Sequence, residues 1–316
     1  MTTAFIFPGQ GSQAVGMGRD LAAAFPAARH VFDEIDDALE QRLSRLMFEG
    51  PDSDLMLTRN AQPALMAVSL AVIKVLEVEA KLNLGETCTY VAGHSLGEYS
   101  ALAAARAIEL PAAARLLRIR GEAMQEAVPV GEGGMAALLG LDLEAVQSIA
   151  ADAADDAAGE VCEAANDNAP GQVVLSGSIA AVERAIELAS ERGARRAISL
   201  PVSAPFHCSL MKPAAEKVAK ELENTAIVPP LVPLVANVSA NEIIDPETIR
   251  RLLIDQVTGM VRWRECVLYM ADNGVDRVIE IGAGKVLSSL TRRINGDLSA
   301  LSLQEPTDIE TFVKEF

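Results

Sequence analysis

Aromatic side chains are scarce in this 316-residue chain: eight Phe, three Tyr and one Trp amount to 4% of it, although half of the residues are hydrophobic. Its core must therefore be filled mainly by Ala and Leu, which suits a helix-rich globular protein with close small-residue packing. Positive charge is short as well, with 27 Lys and Arg against 44 Asp and Glu and a formal net charge of −17. Such a surface argues against nucleic acid as the main partner, because phosphate contacts need Lys and Arg. An anionic substrate has to be met by local cations instead of the overall field. Four cysteines (Cys88, Cys162, Cys208 and Cys266) lie far apart with no C-x-x-C spacing, so neither a zinc site nor a disulfide framework is expected. No apolar run approaches the roughly 20 residues of a membrane span; the best, residues 64–76, is interrupted by Ser69 and Lys74. The first eight residues lack the basic head and longer apolar stretch of a secretory signal. The expectation is a reduced, cytoplasmic protein with no membrane association, no metal and no bound cofactor.

The most informative stretch present is Gly93-His94-Ser95-Leu96-Gly97. It has the G-x-S-x-G pattern of a nucleophile elbow, and its flanks fit. Thr89-Tyr90-Val91-Ala92 reads as a buried strand, and residues 98–106 are rich in helix formers. A sharp strand-to-helix turn needs small residues at both glycine positions and lifts the Ser95 hydroxyl clear of the backbone. The N–H groups that follow, at the positive end of the new helix, are aimed at an oxyanion.

The chain is long enough for one large or two modest domains. A strand at residues 4–7 runs into the glycine-rich loop Pro8-Gly9-Gln10-Gly11-Ser12-Gln13, followed by helical sequence to about residue 47 and a helix at 63–81. From residue 134 the pattern changes to strand 135–139, helix 143–154, strands 161–165 and 173–176, helix 181–191 and strand 197–200. That β-α-β-β-α-β order is ferredoxin-like. Afterwards come helix 212–224, strand 231–237, helix 248–256, strand 278–281 and helix 286–294. The fold class is thus α/β, a core of residues 1–129 and 200–316 with a mainly parallel sheet, interrupted by a small unit at 130–199. Gly9-Gln10-Gly11-Ser12-Gln13-Ala14 also fits a dinucleotide-binding turn, but no strand closes a compact β-α-β unit behind it.

A serine hydroxyl needs a base beside it to act as a nucleophile, and the chain has three histidines. His30 sits in an acidic helical segment and reads as a solvated residue. His94 adjoins the serine, where neighbouring side chains at a strand end point to opposite sides, so it reads as a packing or hydrogen-bonding residue of the elbow. His207 lies in the loop Ser203-Ala204-Pro205-Phe206-His207-Cys208-Ser209, in the serine-before-histidine order of hydrolase-like folds. By elimination His207 is the expected base.

Six motifs then carry a family resemblance along essentially the whole chain. Phe7-Pro8-Gly9-Gln10-Gly11-Ser12-Gln13, the elbow with Glu98-Tyr99, Arg120-Gly121-Glu122-Ala123-Met124-Gln125, Asn168-Ala169-Pro170-Gly171-Gln172-Val173-Val174, His207-Cys208-Ser209-Leu210-Met211 and Glu280-Ile281-Gly282-Ala283-Gly284-Lys285-Val286-Leu287 stand in the order seen in malonyl-CoA:acyl-carrier-protein transacylases. The resemblance implies an α/β-hydrolase-like core with a ferredoxin-like insert. It implies Ser95 as acyl acceptor and His207 as its base, oriented by the main-chain carbonyl of Gln256, with Asp255 kept as an acidic alternative. The main-chain N–H groups of Leu96 and Gln10 would form the oxyanion hole. From the cluster Arg115, Arg118 and Arg120, the resemblance selects Arg120 to clamp the malonyl carboxylate, for which a planar bidentate donor is well shaped.

Phe206 and Leu96 are bulky neighbours of the acyl site, a weak bias toward malonyl over methylmalonyl. Asn166 is open between a substrate contact and a turn former. The implied partners are malonyl-CoA and holo-acyl carrier protein, with a monomer expected. Carrier docking would use a local basic patch among Arg195 and Arg196, Lys212 and Lys217, or Lys285, Arg292 and Arg293. The same elbow and base would also serve a polyketide-type acyltransferase or a thioester hydrolase.

Overall fold

The computed structural model describes residues 2–156, 160–202 and 204–315; the end of the Ala/Asp-rich segment near residue 158, expected to be an exposed helix end, lies outside them. Among the described residues, ten strands form two sheets. They are β1 (Thr3–Phe7), β2 (Tyr90–Gly93), β3 (Gly133–Leu139), β4 (Cys162–Ala169), β5 (Gln172–Ser178), β6 (Arg196–Ser199), β7 (Leu234–Val235), β8 (Glu242–Ile243), β9 (Arg277–Ile281) and β10 (Ser299–Leu303). The larger sheet has the order β10-β9-β1-β2-β7-β8, parallel throughout except at the β7–β8 edge. The smaller is wholly antiparallel, in the order β4-β5-β3-β6.

β1 is buried along its whole length, as a central parallel strand covered by helices on both faces must be. Phe5 and Phe7 join one core with Val91 and Ile279, whereas Ala4 and Ile6 join a second core with Ala92, Val278 and Trp263. Side chains thus alternate across the sheet, as a period of two requires. The pairing register sets Phe7 level with Gly93, and His94 N donates to Phe7 O at 3.0 Å. The loop after β1 and the elbow after β2 therefore leave the same sheet edge side by side, at the strands' carboxyl ends where open parallel sheets hold ligands.

In the small sheet, one face packs on helices Leu143–Asp156 and Ile179–Glu191 through Ala136, Leu138, Val146, Leu175 and Val182. Met135, Val174 and Ala165 on the other face join the main core instead. β4 slips register between Ala164 and Asn166. There Asp167 N donates to Val261 O, and Val261 N to Ala165 O, both at 2.9 Å, stitching the small sheet to the segment between the helices Pro246–Thr258 and Trp263–Asp272.

Helix Thr58–Glu79 begins five residues before Pro63, where the sequence suggested its start. Proline cannot donate to the carbonyl four residues back. Arg118 Nε supplies the missing donor to Arg59 O at 2.8 Å, which lets the helix run through. This helix is long and apolar enough to span a membrane by composition, contrary to the expectation from the interrupted run, yet 83% of its most apolar window is buried inside the protein. The expected strand at 231–237 shrinks to β7, and β8, β10 and the helices Trp263–Asp272 and Pro306–Glu315 were not anticipated.

Candidate active site

Ser95 has a φ of 53°, and His207 one of 59°. Both are non-glycine residues in the left-handed region, a strain worth about 1–3 kcal/mol each that persists only where neighbours enforce it. At Ser95 the neighbours are identifiable. Its N–H donates to Asn237 Oδ1 at 2.8 Å, Asn237 Nδ2 donates to Gly93 O at 2.7 Å, and Gln256 Nε2 donates to Ser95 O at 2.9 Å. The turn also explains its two glycines. A Cβ on Gly93 would stand 1.9 Å from the carbonyl of Gly97, and one on Gly97 would stand 2.2 Å from Phe7 O.

The lifted hydroxyl meets His207 from a loop far along the chain. Ser95 Oγ lies 2.8 Å from His207 Nε2, and His207 Nδ1 lies 2.8 Å from the main-chain oxygen of Gln256. A carbonyl can only accept, so Nδ1 carries the proton and Nε2 presents its lone pair to the Ser95 hydroxyl. Asp255 is exposed on the outer face of helix Pro246–Thr258; the main chain of Gln256, not that carboxylate, faces the imidazole. Burial, with the nearby Arg120 charge as second cause, pushes His207 down to about 3. It is neutral at pH 7.

Arg120 is 1% exposed. Its Nη1 donates to Gln62 Oε1 at 2.8 Å, while Nη2 donates to Gln256 Oε1 at 2.8 Å and to Ser95 Oγ at 3.1 Å. The guanidinium carbon sits 5.6 Å from the centre of the Tyr99 ring, within cation–π range. Nε has no hydrogen-bond partner among the described residues. Beneath the elbow, Glu98 is buried and accepts from Gln256 Nε2. Burial raises its carboxyl to about 8, against the opposing pull of that hydrogen bond. Gln256 thus touches Ser95, Glu98, Asn237 and Arg120 with its amide while its carbonyl receives His207.

Ser95, His207, Arg120 and Gln62 open onto a cavity of about 390 Å³ between the two sheets. Gln10 and Leu96 line it from the loop after β1 and the elbow, Asn166 and Asn168 from β4, and Phe206 from beside His207. Leu96 directly precedes helix Gly97–Ala104, so its N–H has no intrahelical acceptor. Asn166 lies within β4 and not in a turn. His94 is the hydrogen-bonding and packing residue expected, its Nε2 2.8 Å from Asn168 Oδ1 and its ring against Trp263, although it lines the same cavity as Ser95 instead of pointing to the opposite side. Alternation holds only for extended backbone, and Ser95 is not extended.

Outside the cavity, His30 is exposed on its helix and Arg118 is tied to Arg59 and Gln41. Of the candidate docking cations, Lys217 pairs with Glu126 at 2.7 Å and Arg292 donates to Ala300 O at 2.6 Å. Arg195, Arg196, Lys212 and Lys285 are exposed. Asn237, Gln62 and Glu98 take part in the site without having been singled out in the sequence. Glu98 and Gln62 are polar residues on largely apolar helices, which was their one available signal.

A serine–histidine pair at the carboxyl edge of a parallel sheet, with a second antiparallel sheet over it, is the site of an enzyme that works through an acylated serine, and a model of the acyl transferase domain family matches residues 4–295, which makes the chain an acyltransferase. The chain is 47% identical over 311 residues to the malonyl CoA-acyl carrier protein transacylase of Bacillus subtilis, covering 98% of this chain and 96% of the relative. The crystal structure of an acyl-carrier-protein-S-malonyltransferase from Bartonella henselae superposes with a TM-score of 0.96 at 55% identity, covering 100% of this chain and 99% of that one. A malonyl-transacylase seen in complex with its type II PKS acyl-carrier protein superposes with a TM-score of 0.95 at 42% identity, with full coverage of both chains. This chain belongs to the malonyl CoA-acyl carrier protein transacylase family.

Proposed function

We propose that the protein transfers the malonyl group of malonyl-CoA to the phosphopantetheine thiol of holo-acyl carrier protein, through a malonyl ester on Ser95, and so supplies extender units for fatty-acid synthesis. The observation that carries this reading is one unbroken run of contacts, Arg120 to Ser95 to His207 to Gln256, of which the first three residues line one cavity.

In the proposed cycle the malonyl carboxylate pairs with Arg120, and the thioester carbonyl lies over Ser95 beside Phe206 and Asn166. Ser95 Oγ attacks the carbonyl carbon as its proton passes to His207 Nε2. The main-chain N–H groups of Leu96 and Gln10 hold the oxyanion, a contribution worth roughly 10²–10³ in rate for each donor. The tetrahedral adduct collapses, the C–S bond breaks, and the coenzyme A sulfur takes the proton from His207. The carrier's thiol then gives its proton to His207, attacks the ester and frees Ser95. The main-chain carbonyl of Gln256 keeps the imidazole in the required tautomer throughout.

Coenzyme A release is the test. With malonyl-CoA alone it should stop after a single turnover, and it should resume on addition of holo-acyl carrier protein. Continuous release of free malonate without a carrier would instead make the protein a thioester hydrolase.

A further inference from the structure

Arg120 is a buried cation with no carboxylate in salt-bridge contact among the described residues. Its hydrogen-bond partners are the amides of Gln62 and Gln256 and the Ser95 hydroxyl. Glu98, whose carboxyl acts on Arg120 through space, is pushed by burial to about 8 and so is largely neutral at pH 7, and Tyr99 is pushed up to about 12. Buried charges are ordinarily paired. The missing negative charge must come from a ligand.

An unpaired Arg120 opposes the chemistry next to it in two ways. The imidazole of His207 has to become a cation as Ser95 attacks, one hydroxyl away from the guanidinium. Nη2–H also occupies a lone pair of Ser95 Oγ at 3.1 Å, electron density the attack requires. We propose that the carboxylate of the acyl group does more than anchor it: by pairing with Arg120 it draws Nη2 from the serine and cancels the charge facing His207, so that the nucleophile becomes reactive only when a dicarboxylic acyl group is present. This rests on the reading above and adds a rate effect to its binding effect. The covalent step is unchanged: Ser95 gives its proton to His207, forms the ester bond, and the departing thiol recovers the proton.

The structure then predicts that an acetyl thioester reacts slowly because the base is held off, and that a separate small carboxylate restores what the acetyl group lacks. The test is the rate of Ser95 acylation by acetyl-CoA, followed by quenched intact-mass measurement, in sodium formate and in equal sodium chloride. Formate should accelerate acetylation severalfold and saturably, up to about tenfold, the ceiling for raising the base by about one pKa unit. Arg120→Ala should acetylate faster than the native protein and be indifferent to formate. Formate that leaves native acetylation unchanged or slows it, or an Arg120→Ala protein that acetylates no faster than native, overturns the inference while leaving malonyl transfer standing. Failure of malonyl-CoA to acylate Ser95 in the native protein overturns the inference and the proposed function together.

Discussion

The imidazole of His207 is oriented by the main chain of Gln256, its Nδ1–H donating to that residue's carbonyl oxygen at 2.8 Å. A main-chain acceptor survives side-chain substitution. Gln256→Ala should therefore keep the tautomer of His207 and retain measurable turnover. It removes the amide that holds both Arg120 and the Ser95 carbonyl, so kcat/KM for malonyl-CoA should fall about tenfold, the scale of one hydrogen bond to a charged group. Asp255→Asn should leave the same rate within twofold, an effect of roughly 0.4 kcal/mol or less. A collapse of activity in Asp255→Asn would mean that an acid orients the histidine after all.

The depressed His207 has two consequences for pH. Because kcat/KM reports groups of the free protein, its acid limb should lie far below the ordinary histidine value of 6.5, toward about 3. Activity on malonyl-CoA should thus hold between pH 7 and pH 5. Stability follows from the same shift. Between about 6.5 and about 3 the unfolded chain takes up a proton that the folded His207 refuses. Its contribution is therefore fully present above 6.5 and is lost as pH falls through that window. Thermal melts should show the native protein losing more Tm from pH 7 to pH 4 than His207→Gln does; equal losses would place the titration elsewhere.

Arg120 decides which acyl groups are accepted. Arg120→Ala should lower kcat/KM for malonyl-CoA by roughly 10²–10³, the scale of leaving a buried carboxylate without its partner. Arg120→Lys restores the charge but not the planar fork that reaches Gln62, Gln256 and Ser95 together. It should recover only part of the loss. Steady-state kinetics on the two variants check this, and full recovery by lysine would reduce the clamp to a point charge.

At the elbow the constraint is steric. Gly93→Ala would drive a methyl group to 1.9 Å from the main chain of Gly97, with no side chain able to give way. Destabilisation should reach about 3 kcal/mol or more, at or above the upper end of ordinary overpacking, with activity lost together with Tm. A variant that melts like the native protein and stays active would show that the turn can open.

What was legible in the chain was what is local. The elbow lies within five consecutive residues, and the order of the small sheet's elements is written in one continuous stretch, so both could be read from spacing. The supports of Ser95 could not. Asn237 and Gln256 reach it across 142 and 161 residues, and nothing in their neighbourhoods marks a polar side chain as pointing at a turn so far away. Pro63 shows how a local rule yields to tertiary structure, because Arg118 satisfies the carbonyl that the proline leaves bare. Edge strands as short as β8 carry too few residues to show a period. The role of His94 was legible but its direction was not, because the strand rule was applied one residue past the strand's end.

The central claim is that one hydroxyl carries the acyl group between two thiols. Intact-mass measurement with peptide mapping, after brief mixing with malonyl-CoA, tests it most directly. A single malonyl group on Ser95, absent from Ser95→Ala and discharged by holo-acyl carrier protein, is the predicted result. An unmodified native protein that still transfers malonyl groups, or an adduct on any other residue, would contradict it.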